Sequence, residues 1–129
     1  MPYIAFDLEH RIASHKSSMI GTGQCVALVQ TWAGAPTTAL WREGQKVRGN
    51  HTIAKGTAIA TFIDGHYPNH SHGNHAAIYI GQTEQGIQVI DQWKGGSHHP
   101  NHPPAERTLS FKGQGVDPSN NGDSFSIIE

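Results

Sequence analysis

The sequence lacks several features that stabilise or target small exported proteins. It holds one cysteine in 129 residues, so no internal disulfide can form and the fold must rest on its own packed core. No apolar run is long enough to cross a membrane as a helix, which argues against membrane insertion. Met1 to Lys16 carries Asp7, Glu9 and Arg11, which interrupt the apolar core that a secretory signal requires. We therefore expect synthesis in the cytoplasm and export, if any, by another route.

A strong charge of either sign is also missing. Nine basic and ten acidic residues leave a formal net charge of −1 when the histidines are neutral. This balance provides no electrostatic attraction toward nucleic acid or an anionic membrane surface. The sequence shows no internal repeat, heptad pattern or long linker, so residues 1–129 are expected to form a single domain.

What the sequence does contain is glycine and histidine, at fifteen and ten residues. Many glycines with modest hydrophobicity predict an α+β domain with long ordered loops rather than a helical bundle. The histidines make a metal site one hypothesis to weigh.

The single cysteine, Cys25, lies between a glycine-rich stretch and an apolar run. This pattern predicts a helix from Gln24 to Trp32 or Ala33, which Gly34 then stops. The thiol would sit at the helix N-terminus, where unpaired backbone N–H groups and the helix dipole favour the thiolate, the nucleophilic form. The alternative interpretation is that Cys25 is a small buried hydrophobe.

Strand patterns follow further along the chain. Apolar and β-branched residues recur in short runs bounded by glycine, proline and polar turns. Short connections between them predict an antiparallel meander. The predicted strands are 53–62, 75–80 and 87–93, with shorter closing strands at 108–111 and 124–128, while 42–50, 64–74 and 94–104 are predicted to be loops.

Two polar residues of the meander complete a candidate catalytic set. A thiol nucleophile needs a base within hydrogen-bond reach and often a third group that orients the base. His75 begins one predicted strand and Asp91 lies near the end of the next, so a hairpin between them would place the two roughly opposite each other. Taken singly, His75 could be a surface histidine and Asp91 a solvated acid. Together with Cys25 they predict a Cys-His-Asp site.

Three segments of the chain resemble the NlpC-type and CHAP-type cysteine amidases, compact relatives of papain. They run from Gly23 to Val29, from His75 to Gly81 and from Val89 to Trp93. The resemblance implies a papain-like α+β fold, in which an N-terminal helix carrying the cysteine packs on a small antiparallel sheet. The chain as a whole is similar to small amidase effectors that bacteria deliver through type VI secretion to cut a rival's peptidoglycan.

The resemblance also implies roles for individual residues. Cys25 would attack an amide carbonyl of a peptidoglycan stem peptide or cross-link, His75 would transfer protons, and Asp91 would orient His75. No cofactor would be needed. The site of action would be the periplasm of the target bacterium, and a cognate immunity protein would be expected to plug the groove around Cys25. The residues assigned to the oxyanion site or substrate groove are Gly23, Gln24, Trp41, Tyr67 and Trp93.

Other interpretations of the sequence stay open. Loop histidines could ligate zinc or nickel, although they lack cysteine partners and an HExxH helix, so solvated histidines and no metal are the favoured interpretation. A glycan-binding or partner-binding module could use exposed aromatic side chains, and an acyltransferase could use the same Cys-His pair with an apolar acyl channel. The histidines concerned are His66, His70, His72, His98, His99 and His102.

Overall fold

The computed structural model describes residues 1–14, 18–70 and 72–129, so the predicted loop 64–74 lies partly outside the described residues. No helix in these three ranges is long and apolar enough to cross a bilayer. The helices are α1 (Leu8–Ser14) and α2 (Cys25–Ala33), and the strands are β1 (Glu43–Lys46), β2 (Ala58–Thr61), β3 (Ala76–Gln82), β4 (Gly86–Trp93), β5 (His102–Ser110) and β6 (Phe125–Ile128).

The described strands form one six-stranded sheet in the order β1-β6-β2-β3-β4-β5. Every neighbouring pair is antiparallel. The last strand of the chain, β6, lies between β1 and β2 inside the sheet. The α+β class and the antiparallel sheet predicted from the sequence are confirmed.

Helix α2 begins and ends where the sequence predicts. Gln24 precedes it in an extended conformation, and Gly34 ends it with a φ of 76°, a left-handed value that suits glycine. The apolar side of α2 packs on one face of the sheet, and the contacting core comprises Leu28, Val29, Trp32, Ala76, Ile78 and Ile90.

The opposite face of the sheet carries a second apolar core. Residues alternate along β3, so that Ala76 and Ile78 face α2 whereas Ala77 and Tyr79 face the other way. Burial on both faces explains why the central strands are nearly continuous apolar runs. The second core comprises Val47, Ile59, Ala77, Tyr79, Ile87, Val89, Leu109 and Phe125.

Strand β1 was wrongly predicted as a loop, and so was the first part of β5, of which 108–110 falls in a predicted strand. Strand β1 is polar and mostly exposed at one edge of the sheet, so its sequence carries no apolar alternation. Strand β5 spans nine residues and contains Pro103 and Pro104, which are typical of loops. It forms the other edge of the sheet, where a proline without an N–H is tolerated because that side has no neighbouring strand.

Candidate active site

Cys25 is the first residue of α2 and borders a cavity of about 300 Å³. At this position its backbone N–H has no acceptor within the helix. The side chain is partly buried rather than sealed in the core. The cavity is lined by Gln24, Cys25, Val26, Tyr67, Asn69, His70, Asn74, His75, Trp93 and Lys94.

His75 lies between Cys25 and Asp91. It directly precedes β3 and is 5% exposed, and its Nε2 lies 2.8 Å from Oδ2 of Asp91. The thiol of Cys25 is the other polar partner of the ring, and because Asp91 takes Nε2, Nδ1 is the nitrogen left to face sulfur. Extending the Ile78–Ile90 register places residue 77 opposite Asp91, so the His75–Asp91 pair is diagonal and lies two residues off the roughly opposed placement that was expected.

The environment of Cys25 and His75 favours their charged forms. Burial alone would raise the pKa of the thiol, but the hydrogen bond and charge of His75 outweigh burial and lower it. Burial alone would lower the pKa of His75, but its contacts with Asp91 and Cys25 raise it to about 9. Both shifts favour the thiolate and imidazolium over the neutral thiol and imidazole.

Asp91 is fully buried and lies among cationic and imidazole groups. Its Oδ2 accepts a second hydrogen bond, 2.7 Å long, from Nε of Arg107, and Nε2 of His102 lies 3.6 Å from its Oδ1. Burial would raise the pKa of this carboxyl, but His75 and Arg107 hold it below its usual range. The carboxylate thus stays ionised beside His75.

Sequence reasoning did not find Arg107, and it considered His102 only as a metal ligand. Both belong to β5, which pairs with β4 along most of its length and brings Arg107 opposite Val89. The sequence carries one signal for Arg107, a basic residue in a segment of alternating apolar and polar residues. Pro103 and Pro104 nearby make that segment look like a loop.

Trp93, predicted to line the groove, does border the cavity and is 36% exposed. His102 stacks on its ring at a centroid distance of 3.8 Å, and the Arg107 guanidinium lies 4.7 Å from the ring centroid. These two contacts hold the indole beside His75.

Tyr67, also predicted to line the groove, has its hydroxyl 3.6 Å from Sγ of Cys25. Asn74, which the sequence analysis did not single out, donates from Nδ2 to the same hydroxyl at 3.1 Å. Burial and the neighbouring thiolate raise the pKa of Tyr67, so the phenol keeps its proton. Tyr67 therefore offers a hydrogen-bond donor to a group that lies next to Sγ of Cys25.

Trp41 does not line the cavity, contrary to the groove prediction. It is 2% exposed, its Nε1 donates to the carbonyl of Pro36, and its ring centroid lies 4.8 Å from that of Tyr67. With its donor satisfied and its ring buried, it supports Tyr67 from within the core.

Gln24 borders the cavity, whereas Gly23 does not and instead shapes the loop before Cys25. Gly23 has a φ of 88°, a conformation that glycine adopts without strain. Gln92, which is fully buried on β4, fixes this loop through its side-chain amide. Its Oε1 accepts from the N–H of Ile20 at 2.9 Å, and its Nε2 donates to the carbonyls of Ile20 and Gln24 at 2.9 and 2.8 Å.

The loop histidines do not form the metal site that their spacing allowed. Within residues 1–14, 18–70 and 72–129, no three histidine, cysteine or acidic side chains converge in a way that could hold an ion. His70 borders the Cys25 cavity and His102 contacts Asp91, so these two contribute to the surroundings of the thiol site.

Comparison with known families assigns the chain. A family model described as Domesticated amidase effector 2 matches residues 7–128. The chain belongs to this family. Among amidase effector 2 proteins, the type VI secretion amidase effector 2 protein of Salmonella typhi is 43% identical over 95 residues, which are 73% of this chain and 69% of that protein. The domesticated amidase effector 2 of Ixodes scapularis is 40% identical over 110 residues, 82% of this chain and 70% of that protein.

A solved structure of a Type 6 secretion amidase effector 2 has the same fold. It superposes with a TM-score of 0.81 at 35% sequence identity, covering 98% of this chain and 94% of its own. The similarity to type VI secretion amidase effectors expected from the sequence is confirmed, and the antiparallel sheet with its helices is the architecture of this amidase effector family.

Proposed function

We propose that the protein is a cysteine amidase that hydrolyses an amide bond of peptidoglycan. The observation that carries the proposal is the chain of contacts from Cys25 through His75 to Asp91, in which the pKa shifts of thiol and imidazole both favour an ion pair. The relatives supply the reaction class, since the proteins of Salmonella typhi and Ixodes scapularis are both amidase effectors. Residues 1–129 would act as one amidase domain.

Acylation begins with the Cys25 thiolate attacking the amide carbonyl carbon. The electron pair of the C=O bond moves onto oxygen, and the backbone N–H of Cys25 at the start of α2 is one donor for this oxyanion. When the intermediate collapses, the C–N bond breaks and the His75 imidazolium gives its proton to the leaving amine. The products are a free amine and a thioester on Cys25.

Deacylation reverses the role of His75. Neutral His75 takes a proton from water, the hydroxide adds to the thioester carbonyl, and the C–S bond breaks to release a carboxylic acid and restore the ion pair. Asp91 holds the ring so that Nδ1 faces sulfur and stabilises the imidazolium in each resting state. Arg107 and the buried position of Asp91 fix that carboxylate in turn.

The proposal also covers the superfamily of the fold and the biological role of the protein. A cysteine at the start of a helix and a histidine before a strand of an antiparallel sheet are the arrangement of the papain-like NlpC and CHAP amidases, to which we assign the fold. The relatives' names associate the family with type VI secretion, so we propose delivery into target bacteria, action in the periplasm and a cognate immunity protein that covers the Cys25 cavity.

Digestion of purified peptidoglycan with wild-type protein and Cys25→Ala, followed by mass spectrometry of the fragments, tests the proposal. We expect wild-type protein to release fragments with a new amine and a new carboxylate, and Cys25→Ala to release none above background. Thr31→Ala, an exposed position on the same helix, is the matched control and should remain active. Hydrolysis by Cys25→Ala at the wild-type rate would contradict the mechanism, and the fragment masses identify the bond.

A further inference from the structure

We propose that Tyr67, oriented by Asn74, donates a hydrogen bond to the oxyanion that forms when Cys25 attacks the substrate carbonyl. This inference rests on the proposed amidase function. It assigns to Tyr67 a catalytic contact with the reacting oxygen, in addition to the backbone N–H of Cys25.

The first argument is position. The Tyr67 hydroxyl lies 3.6 Å from Sγ of Cys25 and borders the same cavity. In the tetrahedral intermediate the oxyanion is bonded to the carbon that Sγ has attacked, so it forms next to sulfur on the cavity side. An effective donor lies roughly 2.7–3.1 Å from the oxyanion itself. The Tyr67 hydroxyl is slightly too far from Sγ for a strong hydrogen bond with sulfur, but it is well placed for a hydrogen bond with the oxyanion.

The second argument is the direction of the phenolic proton. Asn74 donates from Nδ2 to the Tyr67 oxygen at 3.1 Å and so occupies its acceptor side. The phenolic hydrogen must then point elsewhere, and Sγ is the neighbour in the resting site. After the attack, the negative charge moves from sulfur to oxygen and the hydrogen bond can follow it.

The third argument is rigidity. Tyr67 is 7% exposed, and its ring packs on the buried Trp41 at a centroid distance of 4.8 Å. A donor that is already oriented needs no reorganisation when charge develops in the transition state. The raised pKa of Tyr67 keeps the hydroxyl protonated beside the thiolate, so it acts as a donor throughout.

The fourth argument concerns the other end of the Asn74 amide. Its Oδ1 is buried and has no hydrogen-bond partner among the described residues. Asn74 borders both the Cys25 cavity and a neighbouring cavity of about 450 Å³ beyond His75. No competing hydrogen bond from the described residues to Oδ1 therefore turns the amide away from the orientation in which Nδ2 donates to Tyr67.

The test compares Tyr67→Phe with Tyr79→Phe under steady-state conditions. Tyr79 is a matched control because it is 4% exposed and its hydroxyl also accepts one amide hydrogen bond at 3.1 Å, from Gln82. We expect Tyr67→Phe to lower kcat by roughly 10²–10³-fold with KM little changed, as loss of one oxyanion donor does. Tyr79→Phe should keep the wild-type kcat, and equal kcat values for Tyr67→Phe and wild type would overturn the inference.

A second readout separates the oxyanion role from stabilisation of the thiolate. Alkylation of Cys25 by iodoacetamide requires the thiolate but forms no oxyanion. At a pH where Cys25 is fully ionised, we expect equal alkylation rates for wild type and Tyr67→Phe, together with the full hydrolytic defect. If hydrolysis by Tyr67→Phe recovers to the wild-type rate at that pH, Tyr67 serves only the resting thiolate and the inference is wrong.

Asn74→Ala provides a test that leaves the Tyr67 ring in place. Freeing the phenol to rotate should lower kcat by about 10-fold, the effect of one hydrogen bond, without changing the alkylation rate. No change in kcat would show that Asn74 does not orient the donor. Peptidoglycan left intact by the wild-type protein would reject the amidase proposal and this inference together, whereas an active wild type matched by Tyr67→Phe rejects the inference alone.

Discussion

The two sides of the His75 ring are built from different chemistry. The Nε2 side faces charge, with the buried Asp91 carboxylate bound by the Arg107 guanidinium and approached by His102. The other side faces the Cys25 thiol, whose further neighbours are the uncharged hydroxyl of Tyr67 and the amide of Asn74. We call these the charged side and the neutral side.

Because of this difference, the charged side and the neutral side have different functions in the site. Charges act over several ångströms in a buried setting, so the charged side determines the ionisation of His75 and, through it, of Cys25. Neutral donors act only at hydrogen-bond distance, so the neutral side determines where sulfur and substrate oxygen lie. Changes on the charged side should shift the alkaline limit that His75 sets on the pH profile, and changes on the neutral side should lower kcat without moving that limit.

Asp91→Asn should have the largest effect of the variants that keep Cys25, His75 and Tyr67. The amide keeps the shape of the side chain but removes the anion, so the pKa of His75 should fall from about 9. Because the proposed mechanism needs the imidazolium, activity should be lost on the alkaline side at a lower pH than in wild type, with kcat reduced roughly 10²–10⁴-fold. The measurement is kcat against pH.

The control for that variant is Glu84→Gln, an exposed carboxylate in the turn between β3 and β4 that borders neither the Cys25 cavity nor the cavity beyond His75. It should leave the profile unchanged. An Asp91→Asn profile with the wild-type alkaline midpoint would contradict the role assigned to the charged side.

Gln92→Leu tests the support of the neutral side. It removes the amide that holds the Ile20 and Gln24 backbone, so the buried N–H of Ile20 loses its acceptor and the carbonyls of Ile20 and Gln24 each lose one of their donors. The free energy of unfolding should fall by roughly 1–3 kcal/mol, and displacement of Cys25 should lower kcat by about 10²-fold. Chemical denaturation and kinetics measure the two effects. Gln88→Leu, at a half-buried position on the same strand, is the control and should change neither quantity. A shift of the alkaline midpoint of kcat in Gln92→Leu would contradict the division between the charged side and the neutral side.

Arg107→Gln should have the smallest effect. Arg107 shares Oδ2 of Asp91 with His75, so its removal leaves that carboxylate to His75 alone and raises the pKa of His75. The alkaline midpoint of kcat should therefore move upward, while looser orientation of Asp91 lowers kcat by about 10-fold. Arg48→Gln is a matched control, because Arg48 pairs with Asp123 at 2.6 Å and lies 4.3 Å from the Phe111 ring centroid, away from the cavity. A downward shift of the alkaline midpoint of kcat in Arg107→Gln would contradict the account.

The features that the sequence predicts well depend on neighbours close in the chain. The start of α2 at Cys25 and its end at Gly34 follow from local residue types, and the approach of His75 to Asp91 follows from the length of one hairpin. The antiparallel sheet follows from short connections between apolar runs. These features need no knowledge of distant pairing.

The features that the sequence hides depend on distant pairing. Arg107 reaches Asp91 only because β5 is the edge partner of β4, and its prolines look like a loop until that edge position is known. Trp41 looks like a groove aromatic, but its burial depends on packing against Tyr67 from the loop between β2 and β3. Gln92 looks like an ordinary strand glutamine in the sequence, because its hydrogen bond with the Ile20 backbone depends on the folded structure.

The central claim is that His75 keeps Cys25 ionised, and the rate of Cys25 alkylation against pH tests it most directly. In wild-type protein the thiolate should form at a pH below the usual range of a cysteine, about 8.5. In His75→Ala the largest contribution that opposes burial is lost and only the weaker ones of Tyr67 and Ala76 remain, so the midpoint should move upward. His70→Ala, at a residue that borders the same cavity, should match wild type. The same midpoint in wild type and His75→Ala would contradict the account.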